Sequence, residues 1–440
     1  MLKNIFSVQN KGIHKILTVL GVKIKIKSDK LVIKSLKNEV KNLQTYIDVT
    51  DNYKRVLNNL NEKIKKDKIN VVFYSSELQK WTYNSLYKTF ENSEHFNPMV
   101  VIVPLIRMPD DIRKQMLSDQ YNFYTKMGCK VEYGYKDGEY LDLSTFKPDI
   151  VFYQQPWDVP KNNTPDKVSE YALTCYCNYG SQVLEYPKEY MPKFHKFLWL
   201  YICENDLNIK RFESYQKGNS KNCVSFGYPK LDVYMENHDI DPSRYWKEPE
   251  KIKIIYAPHH SFDKAHINIA TFLQNGKFML EMAKKYSDTT TWIFKPHPRL
   301  KYVIESTKYM TKKEIEKYWQ EWDTVGKVCE DGDYWDIFRT SDLMITDCAS
   351  FLIEYLPTGK PLLRLNNTKA MALNEFAMHF ISQYYNSYNN EELEKLFVDL
   401  AINKNDYKKE AREKLIAELI DFNEPSAIKI IKYLSEKIGI

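Results

Sequence analysis

Residues 341–355 read Ser-Asp-Leu-Met-Ile-Thr-Asp-Cys-Ala-Ser-Phe-Leu-Ile-Glu-Tyr. The run Leu343–Thr346 has the short apolar character of a buried parallel strand. A polar turn, Asp347–Ser350, follows it, and a helix is predicted over residues 351–356. This order predicts one unit of a doubly wound α/β sheet. In such sheets ligands bind outside the carboxyl ends of the strands, which is where this turn lies.

The same order recurs along the chain. The second half has further strand candidates at residues 252–257 and 291–295. The first half has strand candidates at residues 69–76, 99–105, 130–135, 149–153, 173–177 and 222–226. A break with two prolines at residues 239–253 separates the two series. We therefore predict an α/β protein of two Rossmann-like, doubly wound domains, residues 67–240 and 250–440, facing each other across a cleft.

The positive charge is concentrated at one end. The chain of 440 residues has a formal net charge of +6. Residues 1–40 hold nine lysines against Asp29 and Glu39, a local charge of +7, so the other 400 residues sum to −1. A basic face over the whole body, as expected of a nucleic-acid-binding protein, is not indicated, and we expect no nucleic-acid partner.

Residues 1–66 are predicted to form an N-terminal extension. The stretch Val22–Lys27 alternates Lys with apolar residues, which is typical of a strand with one apolar and one cationic face. Each lysine near anionic lipid contributes about 1 kcal/mol to the free energy of membrane binding, so the segment is expected to contact the inner membrane surface. The alternative is an edge strand whose lysines discourage aggregation.

Apolar residues at helical spacing over residues 36–64 predict an amphipathic helix. It either packs on the body or forms a short coiled coil that joins subunits into a homo-oligomer. No apolar run approaches the roughly 20 residues of a membrane span, and no signal peptide is evident. The seven cysteines lack zinc-ribbon spacing. We expect a cytoplasmic protein with reduced thiols, peripheral on the cytoplasmic face of the membrane.

Three strands of the second half end in polar clusters that should meet at one edge of the sheet. The clusters contain His259 and His260, then Lys295, His297 and Arg299, then Asp347 and Ser350. Imidazoles and cations gathered in one place suit a diphosphate, because fixed donors stabilise the charge on a departing nucleotide phosphate.

The turn Asp347–Ser350 is predicted to bind an anion through its backbone as well. Backbone N–H groups at Ala349 and Ser350, at the start of the predicted helix, would bind an anion. Asp347 would cap that helix, and Glu354, one turn in, would bind ribose hydroxyls. The alternative is a capping arrangement without a ligand.

His297 is predicted to be functional, because Pro296 and Pro298 restrict the turn that presents it. His259 and His260 are adjacent residues at the end of an extended strand, where neighbours point to opposite faces. Shared metal ligation by the pair is therefore not expected, and we predict no bound metal.

These motifs resemble the CDP-glycerol glycerophosphotransferase family of teichoic acid and capsule synthesis. The similar features are a Tyr-Ala-Pro strand end, a Lys-x-His-Pro turn, a Ser-Asp-x-x-Ile-Thr-Asp-x-x-Ser block followed by an acidic residue and Tyr, and a Gly-x-Pro-x-x-Asp link. They are met here by Tyr256–Pro258, Lys295–Pro298, Ser341–Tyr355 and Gly227–Asp232. Together they span about residues 220–365.

The resemblance implies a GT-B fold and transfer of glycerol phosphate, or a related polyol phosphate, from CDP-glycerol to a glycan or lipid-linked acceptor. It implies no cofactor. It also implies catalytic roles for His297 and, as general base, His260 or Asp158. Donor-binding roles fall on His259, Lys295, Arg299, Asp347, Ala349, Ser350 and Glu354.

The sequence departs from the family at two places. The Trp-His-Gly-x-Pro motif of the first half, whose His is the presumed base, is absent, and its nearest counterpart is Gln154–Pro160, which contains Asp158. His259-His260-Ser261 stands where many members have Thr, an aromatic residue and Arg. Three alternatives follow: a transferase of UDP- or CMP-activated sugars, an epimerase, and a non-catalytic scaffold that binds surface polymers.

Overall fold

A computed structural model describes most of the chain. The described residues are 6–11, 14–19, 22–27, 29–65, 67–186, 193–216, 220–236, 238–262, 267–330 and 334–440, with side chains from Lys30 onward. Among these residues, no helix is both long enough and apolar enough to span a bilayer.

The N-terminal extension consists of three strands and a long helix. The strands β1 (Phe6–Lys11), β2 (His14–Val19) and β3 (Val22–Lys27) form an antiparallel meander. Residues Val22–Lys27 are thus a strand, as predicted, although their side chains lie outside the description. The helix α1 (Asp29–Lys63) has 35 residues and begins earlier than its apolar pattern indicated.

The first half is built on a seven-stranded sheet. Its strands are β4 (Ile69–Ser75), β5 (Phe96–Ile102), β6 (Val131–Tyr133), β9 (Ile150–Tyr153), β10 (Leu173–Cys177), β11 (Leu200–Cys203) and β12 (Cys223–Ser225). Its helices are α2 (Asn84–Glu91), α3 (Asp110–Lys126), α4 (Pro165–Val168), α5 (Lys193–Phe197) and α6 (Asp206–Tyr215), and a small hairpin pairs β7 (Tyr135–Lys136) with β8 (Glu139–Tyr140). The sheet order is β12-β11-β10-β9-β4-β5-β6, all parallel.

The second half is built on a six-stranded sheet. Its strands are β13 (Ile252–Ala257), β14 (Thr290–Phe294), β15 (Gly326–Val328), β16 (Leu343–Thr346), β17 (Leu362–Leu365) and β18 (Tyr385–Ser387). Its helices are α7 (Phe272–Lys285), α8 (Leu300–Ser306), α9 (Lys312–Val325), α10 (Trp335–Thr340), α11 (Phe351–Glu354), α12 (Glu375–Ile381), α13 (Asn390–Phe397) and α14 (Lys409–Leu419). The order β15-β14-β13-β16-β17-β18 is again all parallel.

Each sheet is buried on both faces. In β4, Val71 and Phe73 belong to one buried apolar cluster and Val72 and Tyr74 to another. Alternate residues of a strand point to opposite sides, so these clusters are two layers of core. The second sheet is covered in the same way. Both faces being apolar explains why these strands are continuous hydrophobic runs. The predicted α/β class with two Rossmann-like halves is confirmed.

The last helix, α15 (Ser426–Ile438), returns to the first half. Its apolar face, which includes Ile430 and Leu434, packs in one cluster with residues of α1 and β4. The Asp232 carboxylate accepts hydrogen bonds from the N–H groups of Ser426 (2.8 Å) and Ala427 (2.9 Å), and from Ser85 Oγ of α2 (2.8 Å). The expectation that all residues from 250 to 440 belong to the second half is therefore wrong for this helix, which helical periodicity cannot assign to either core.

The two halves also contact each other through backbone pairing. Leu184 forms an isolated antiparallel bridge with Leu373. The N–H of Glu185 donates to Ala372 O at 2.8 Å, and the N–H of Asn374 donates to Val183 O at 2.9 Å. This pairing holds the segment after β10 against the loop before α12.

Candidate functional site

The three polar loops of the second half lie side by side. They follow β13, β14 and β16, and β13 pairs with both of the others. The N–H of His297 donates to Pro258 O at 3.0 Å, which joins the first two loops through the backbone. The expected meeting of the three loops at one edge of the sheet is what the structure shows.

Three imidazoles cluster at this edge. The ring centroid of His260 lies 3.9 Å from that of His297, and the ring centroid of His259 lies 4.9 Å from that of His297. His259 is buried, while His260 and His297 are partly buried. His259 Nδ1 contacts Ser261 Oγ at 2.9 Å, and the N–H of Arg299 donates to His297 Nδ1 at 3.1 Å. The rings of His259 and His297 are thus held by their own loops.

The expectation that His259 and His260 point to opposite faces is wrong. Their ring centroids are 4.4 Å apart. The strand β13 ends at Ala257, so both residues lie beyond the region where strand alternation applies. Ring nitrogens of His259, His260 and His297 all lie within 4.8 Å of one another, close enough to consider a divalent ion. The absence of a bound metal remains a prediction, but it can no longer be argued from rings that point to opposite faces.

The imidazoles are held in the neutral form. Burial lowers the pKa of His259 well below its usual value, with a further contribution from His297. Burial, followed by the nearby Arg299 guanidinium, lowers the pKa of His260 to about 4. Burial, then His260, Arg299 and Lys295, lowers the pKa of His297 to about 3. A bound anion would oppose these effects, because negative charge favours the protonated ring.

Asp347 connects the third loop to the first. Its Oδ1 accepts from the N–H of His259 at 2.6 Å, and its Oδ2 accepts from the N–H of Thr271 (2.6 Å) and from Thr271 Oγ1 (2.7 Å). Burial raises the pKa of Asp347 to about 6. The expectation that Asp347 caps the following helix is wrong, because the carboxylate is used by residues that precede α7. Its position supports the His259 loop.

The helix after the turn is shorter than predicted. The helix α11 has four residues and is followed by a 3₁₀ turn, Leu356–Thr358, and its N-cap Ser350 makes no side-chain capping bond. A single turn carries little macrodipole, so the expected anion site at a helix start is weakened. Ala349 and Ser350 nevertheless line the cleft.

Glu354 is not exposed to the cleft. Its side chain is fully buried, its Oε1 accepts from Lys230 Nζ at 2.9 Å, and its Oε2 contacts the Tyr334 hydroxyl. Contact with ribose hydroxyls would require Lys230 and Tyr334 to move, so the expected contact is not available in this structure. Lys295 is buried, with Nζ 5.0 Å from the Tyr334 ring centroid, whereas Arg299 is exposed.

The site faces a cavity between the two halves. From the first half the cavity is lined by Pro156, Trp157, Tyr176, Asn178–Gln182, Leu184 and His195, and from the second by His259, Ile267, Ile269 and Cys348–Ser350. Two of the three polar loops therefore contribute directly to the wall of the cleft. This is the arrangement expected if a donor on the second half meets an acceptor on the first.

Asp158, a candidate base, is engaged in an ion pair. Its neighbours Pro156 and Trp157 line the cavity, but the Asp158 carboxylate forms a 2.6 Å ion pair with Arg107. Asp158 has a backbone φ of +55°, a left-handed conformation that turns the chain after Trp157. Arg107 competes for the lone pairs that a general base would need.

Sequence reasoning missed Glu204. It follows β11, a strand that was not predicted, and it lies at the carboxyl edge of the first sheet. Its carboxylate accepts from Ser181 Oγ (2.7 Å) and from the N–H of Gln182 (3.0 Å), two residues that line the cleft. Burial raises its pKa to about 7. The available signal was the apolar run Leu200–Cys203 ending in Glu204, the same pattern used in the second half.

The comparisons with known proteins agree with this architecture. The sequence model of the CDP-glycerol:poly(glycerophosphate) glycerophosphotransferase family matches residues 188–370, which confirms the resemblance. The match includes all three loops of the second half. The chain is accordingly an enzyme of the transferase type that uses a nucleotide-activated donor. No curated protein matches the sequence significantly.

Solved structures confirm the GT-B fold of two Rossmann-like domains. A UDP-N-acetylglucosamine 2-epimerase described as putative, from Listeria monocytogenes, is similar with a TM-score of 0.56 and 13% identity, over 84% of this chain and 97% of that one. The Neisseria meningitidis UDP-GlcNAc 2-epimerase bound to UDP-GlcNAc is similar with a TM-score of 0.52 and 14% identity, over 84% and 100%. The S. aureus MnaA–UDP structure is similar with a TM-score of 0.51 and 12% identity, over 85% and 97%. At these identities the likeness concerns the fold alone.

Proposed function

We propose that this enzyme transfers glycerol phosphate, or a related polyol phosphate, from a CDP-activated donor to a glycan or lipid-linked acceptor in the synthesis of a bacterial surface polymer such as capsule, teichoic acid or lipopolysaccharide. The observation that carries the proposal is the cluster of His259, His260 and His297 beside the inter-domain cavity. The family match over the same loops supports the chemical class proposed for the donor.

The reaction is a displacement at phosphorus. An acceptor hydroxyl oxygen forms a bond to the β-phosphorus of the donor, and the bond from that phosphorus to the CMP oxygen breaks. CMP departs with the bonding electrons, and the hydroxyl proton passes to a base. There is little covalent work for the protein in such a step, so positioning and charge stabilisation dominate.

The second half would supply the charge stabilisation. His297, His259 and Lys295 would contact the diphosphate, with Arg299 at the exposed side. Donors fixed before the reaction are effective, since removing one such group commonly costs about 10²–10³ in rate. Ala349 and Ser350 would offer backbone N–H groups from the cleft wall, and Asp347 would hold the His259 loop in place.

His260 is the better supported of the two proposed bases. Its ring is neutral, and its buried Nδ1 finds no hydrogen-bond partner among the residues that the structure describes. Asp158 is paired with Arg107. A bound diphosphate would raise the pKa of His260 from about 4 towards neutrality, where general-base catalysis contributes about 10²–10⁴ in rate.

The N-terminal extension would place the enzyme on the cytoplasmic face of the membrane. The lysines of β3 and its neighbours are the basis for this part of the proposal. Sedimentation with vesicles tests it. We expect binding to vesicles with anionic lipid, loss of binding at high salt, and no binding to neutral vesicles. Equal binding to neutral vesicles would contradict an electrostatic contact.

A panel of donors tests the proposed function. Purified enzyme is tested with CDP-glycerol, CDP-ribitol, UDP-sugars and a CMP-sugar, and both thermal stabilisation and the released nucleotide are measured. Stabilisation by a CDP-polyol with release of CMP is the expected result. Release of UDP from a UDP-sugar, or of CMP from the CMP-sugar, would instead identify the sugar transferase. Interconversion of a UDP-sugar without release would indicate an epimerase. Binding without turnover of any donor would favour a scaffold.

A further inference from the structure

The helix α1 has two different halves. Its C-terminal half packs on the body: Val49, Tyr53, Val56 and Leu60 are buried, and the Tyr53 hydroxyl donates to Phe197 O at 2.7 Å. Its N-terminal half carries five large apolar residues that are more than half exposed. They are Ile33, Leu36, Val40, Leu43 and Ile47, with exposures between 53% and 66%. Five such residues in one row are not the scattered surface apolar residues of ordinary proteins.

The exposed row points away from the body. Successive residues of an α-helix are about 100° apart, so Val40 and the buried Val49, nine residues later, lie on opposite sides of α1. Polar residues occupy the positions between the members of the row, including Lys34, Asn38 and Lys41, which are exposed. The row is therefore a separate surface, which the described side chains of the same copy leave exposed.

The spacing of the row is that of a coiled coil. The intervals are three, four, three and four residues, so Ile33, Val40 and Ile47 take the a positions of a heptad and Leu36 and Leu43 the d positions. β-branched residues at a with Leu at d favour parallel two-stranded coils over trimers. A helix lying on lipid would need only a broad apolar face. It would not need β-branched residues at one set of positions and Leu at the other.

The flanking positions permit parallel pairing. In a parallel dimer the residue at g meets the residue five positions later in the second copy. Here Val32 would meet Lys37, Glu39 would meet Gln44, and Tyr46 would meet Asp51. No like charges face each other, so nothing in these positions opposes the pairing.

From this pattern we propose that the exposed row, residues 33–47 of α1, is the interface through which two copies of this chain form a parallel coiled-coil dimer. The row is about two heptads long, shorter than free-standing coiled coils, so we expect reversible association on the order of micromolar. Parallel pairing places both lysine-rich N-terminal segments at the same end of the dimer. The proposal does not depend on the proposed transferase reaction.

The full chain and two matched variants test the interface. L36E/L43E puts two glutamates, seven positions apart, into the row. K34E/K41E puts two glutamates at the same spacing on the exposed flank of the row. Sedimentation velocity without lipid is measured from submicromolar to high micromolar concentration. We expect the wild type and K34E/K41E to dimerise with concentration and L36E/L43E to stay monomeric. Thermal unfolding at submicromolar concentration, where all three are monomeric, should be unchanged, because the row is exposed in the monomer.

Cysteine cross-linking tests the orientation. In a parallel dimer Leu36 faces Leu36 of the second copy, so L36C should form a covalent dimer on mild oxidation, and K41C should not. The native cysteines are buried or partly buried, and the wild type shows how much cross-linking they cause. A wild type that stays monomeric throughout, a trimer, or equal dimerisation of L36E/L43E would overturn the proposal. The proposal would also be overturned if the wild type were monomeric without lipid and bound neutral vesicles, and if only L36E/L43E lost that binding. The row would then be a lipid contact.

Discussion

The N–H of His259 donates a 2.6 Å hydrogen bond to the carboxylate of Asp347, although the two residues are 88 positions apart in the sequence. The same carboxylate holds Thr271 at the start of α7. One acidic side chain therefore fixes the loop that carries two of the three imidazoles. Asp347 is thus a positioning residue, which affects where the imidazoles lie rather than the chemical step itself.

Asp347→Asn should disturb the site by changing one acceptor into a donor. The amide cannot accept from both His259 and the two groups of Thr271, so a buried donor loses its partner, at a cost of about 1–3 kcal/mol in unfolding free energy. We expect transfer to fall by more than tenfold. Asp342→Asn is the control, because Asp342 accepts from the N–H of Lys253 at the opposite end of β13. Equal losses of activity in both variants would argue against a special role for Asp347.

His297→Ala should reduce transfer by about 10²–10³, since it removes one donor to the diphosphate. The unfolding midpoint should change little, because the His297 ring is only partly buried. His379→Ala, an exposed histidine of α12, is the matched control and should retain full activity. Initial rates with a saturating donor give the measurement. Near-normal turnover of the His297 variant would remove the residue from the mechanism.

Glu204→Gln should change how stability depends on pH. Burial raises the pKa of Glu204 to about 7, above the ordinary value of 4.5, so the folded state binds the proton more tightly than the unfolded state. The resulting stabilisation is complete below pH 4.5 and is lost as the pH rises to about 7. The upper limit of this loss is about 3 kcal/mol. Denaturant unfolding at several pH values should therefore show the wild type falling relative to the variant. Parallel curves would contradict a raised pKa.

Lys230→Met should strongly destabilise the enzyme. It leaves Glu354 as a fully buried carboxylate without its cation, and breaking a buried pair costs about 3–5 kcal/mol. The control is Lys54→Met, which breaks an exposed pair with Asp51 and should cost at most about 1 kcal/mol. Thermal unfolding compares the two. Similar small effects would contradict a stabilising buried ion pair between Lys230 and Glu354.

Removal of divalent ions should leave transfer unchanged. The three imidazoles lie close enough to bind an ion, but Lys295 and Arg299 contribute positive charge to the same place, which disfavours a dication. Activity after dialysis against a chelator, with metal content determined by mass spectrometry, tests this. Loss of activity that is restored by a stoichiometric divalent ion would show that the cluster is a metal site.

Local patterns predicted the parts of the site that lie next to each other in the sequence. An apolar run that ends in polar residues was sufficient to place His259, His297 and Asp347 at one edge, because parallel strands share the direction of their carboxyl ends. The partners of these residues were not predictable in this way. Lys230 reaches Glu354 across 124 positions, and Asp347 turns to Thr271 rather than to its own helix. Such contacts depend on how whole elements pack.

Two errors came from short elements. The strand β11 has only four residues and lies in an aromatic-rich stretch, so it was missed together with Glu204. The helix α11 was expected to be longer because apolar residues continue beyond it, yet a 3₁₀ turn containing a proline replaces the next turn. In both places the hydrophobic pattern indicated burial correctly and left the backbone conformation open.

The return of α15 to the first half has a consequence for biosynthesis. Residues Ile430 and Leu434 complete a core whose other members, such as Val56 and Phe73, are translated hundreds of codons earlier. The first half therefore leaves the ribosome with an unfilled apolar groove, and it can reach its final stability only after translation of the second half is complete. Nascent chains stopped before codon 426 should for this reason be sensitive to proteases and be bound by chaperones.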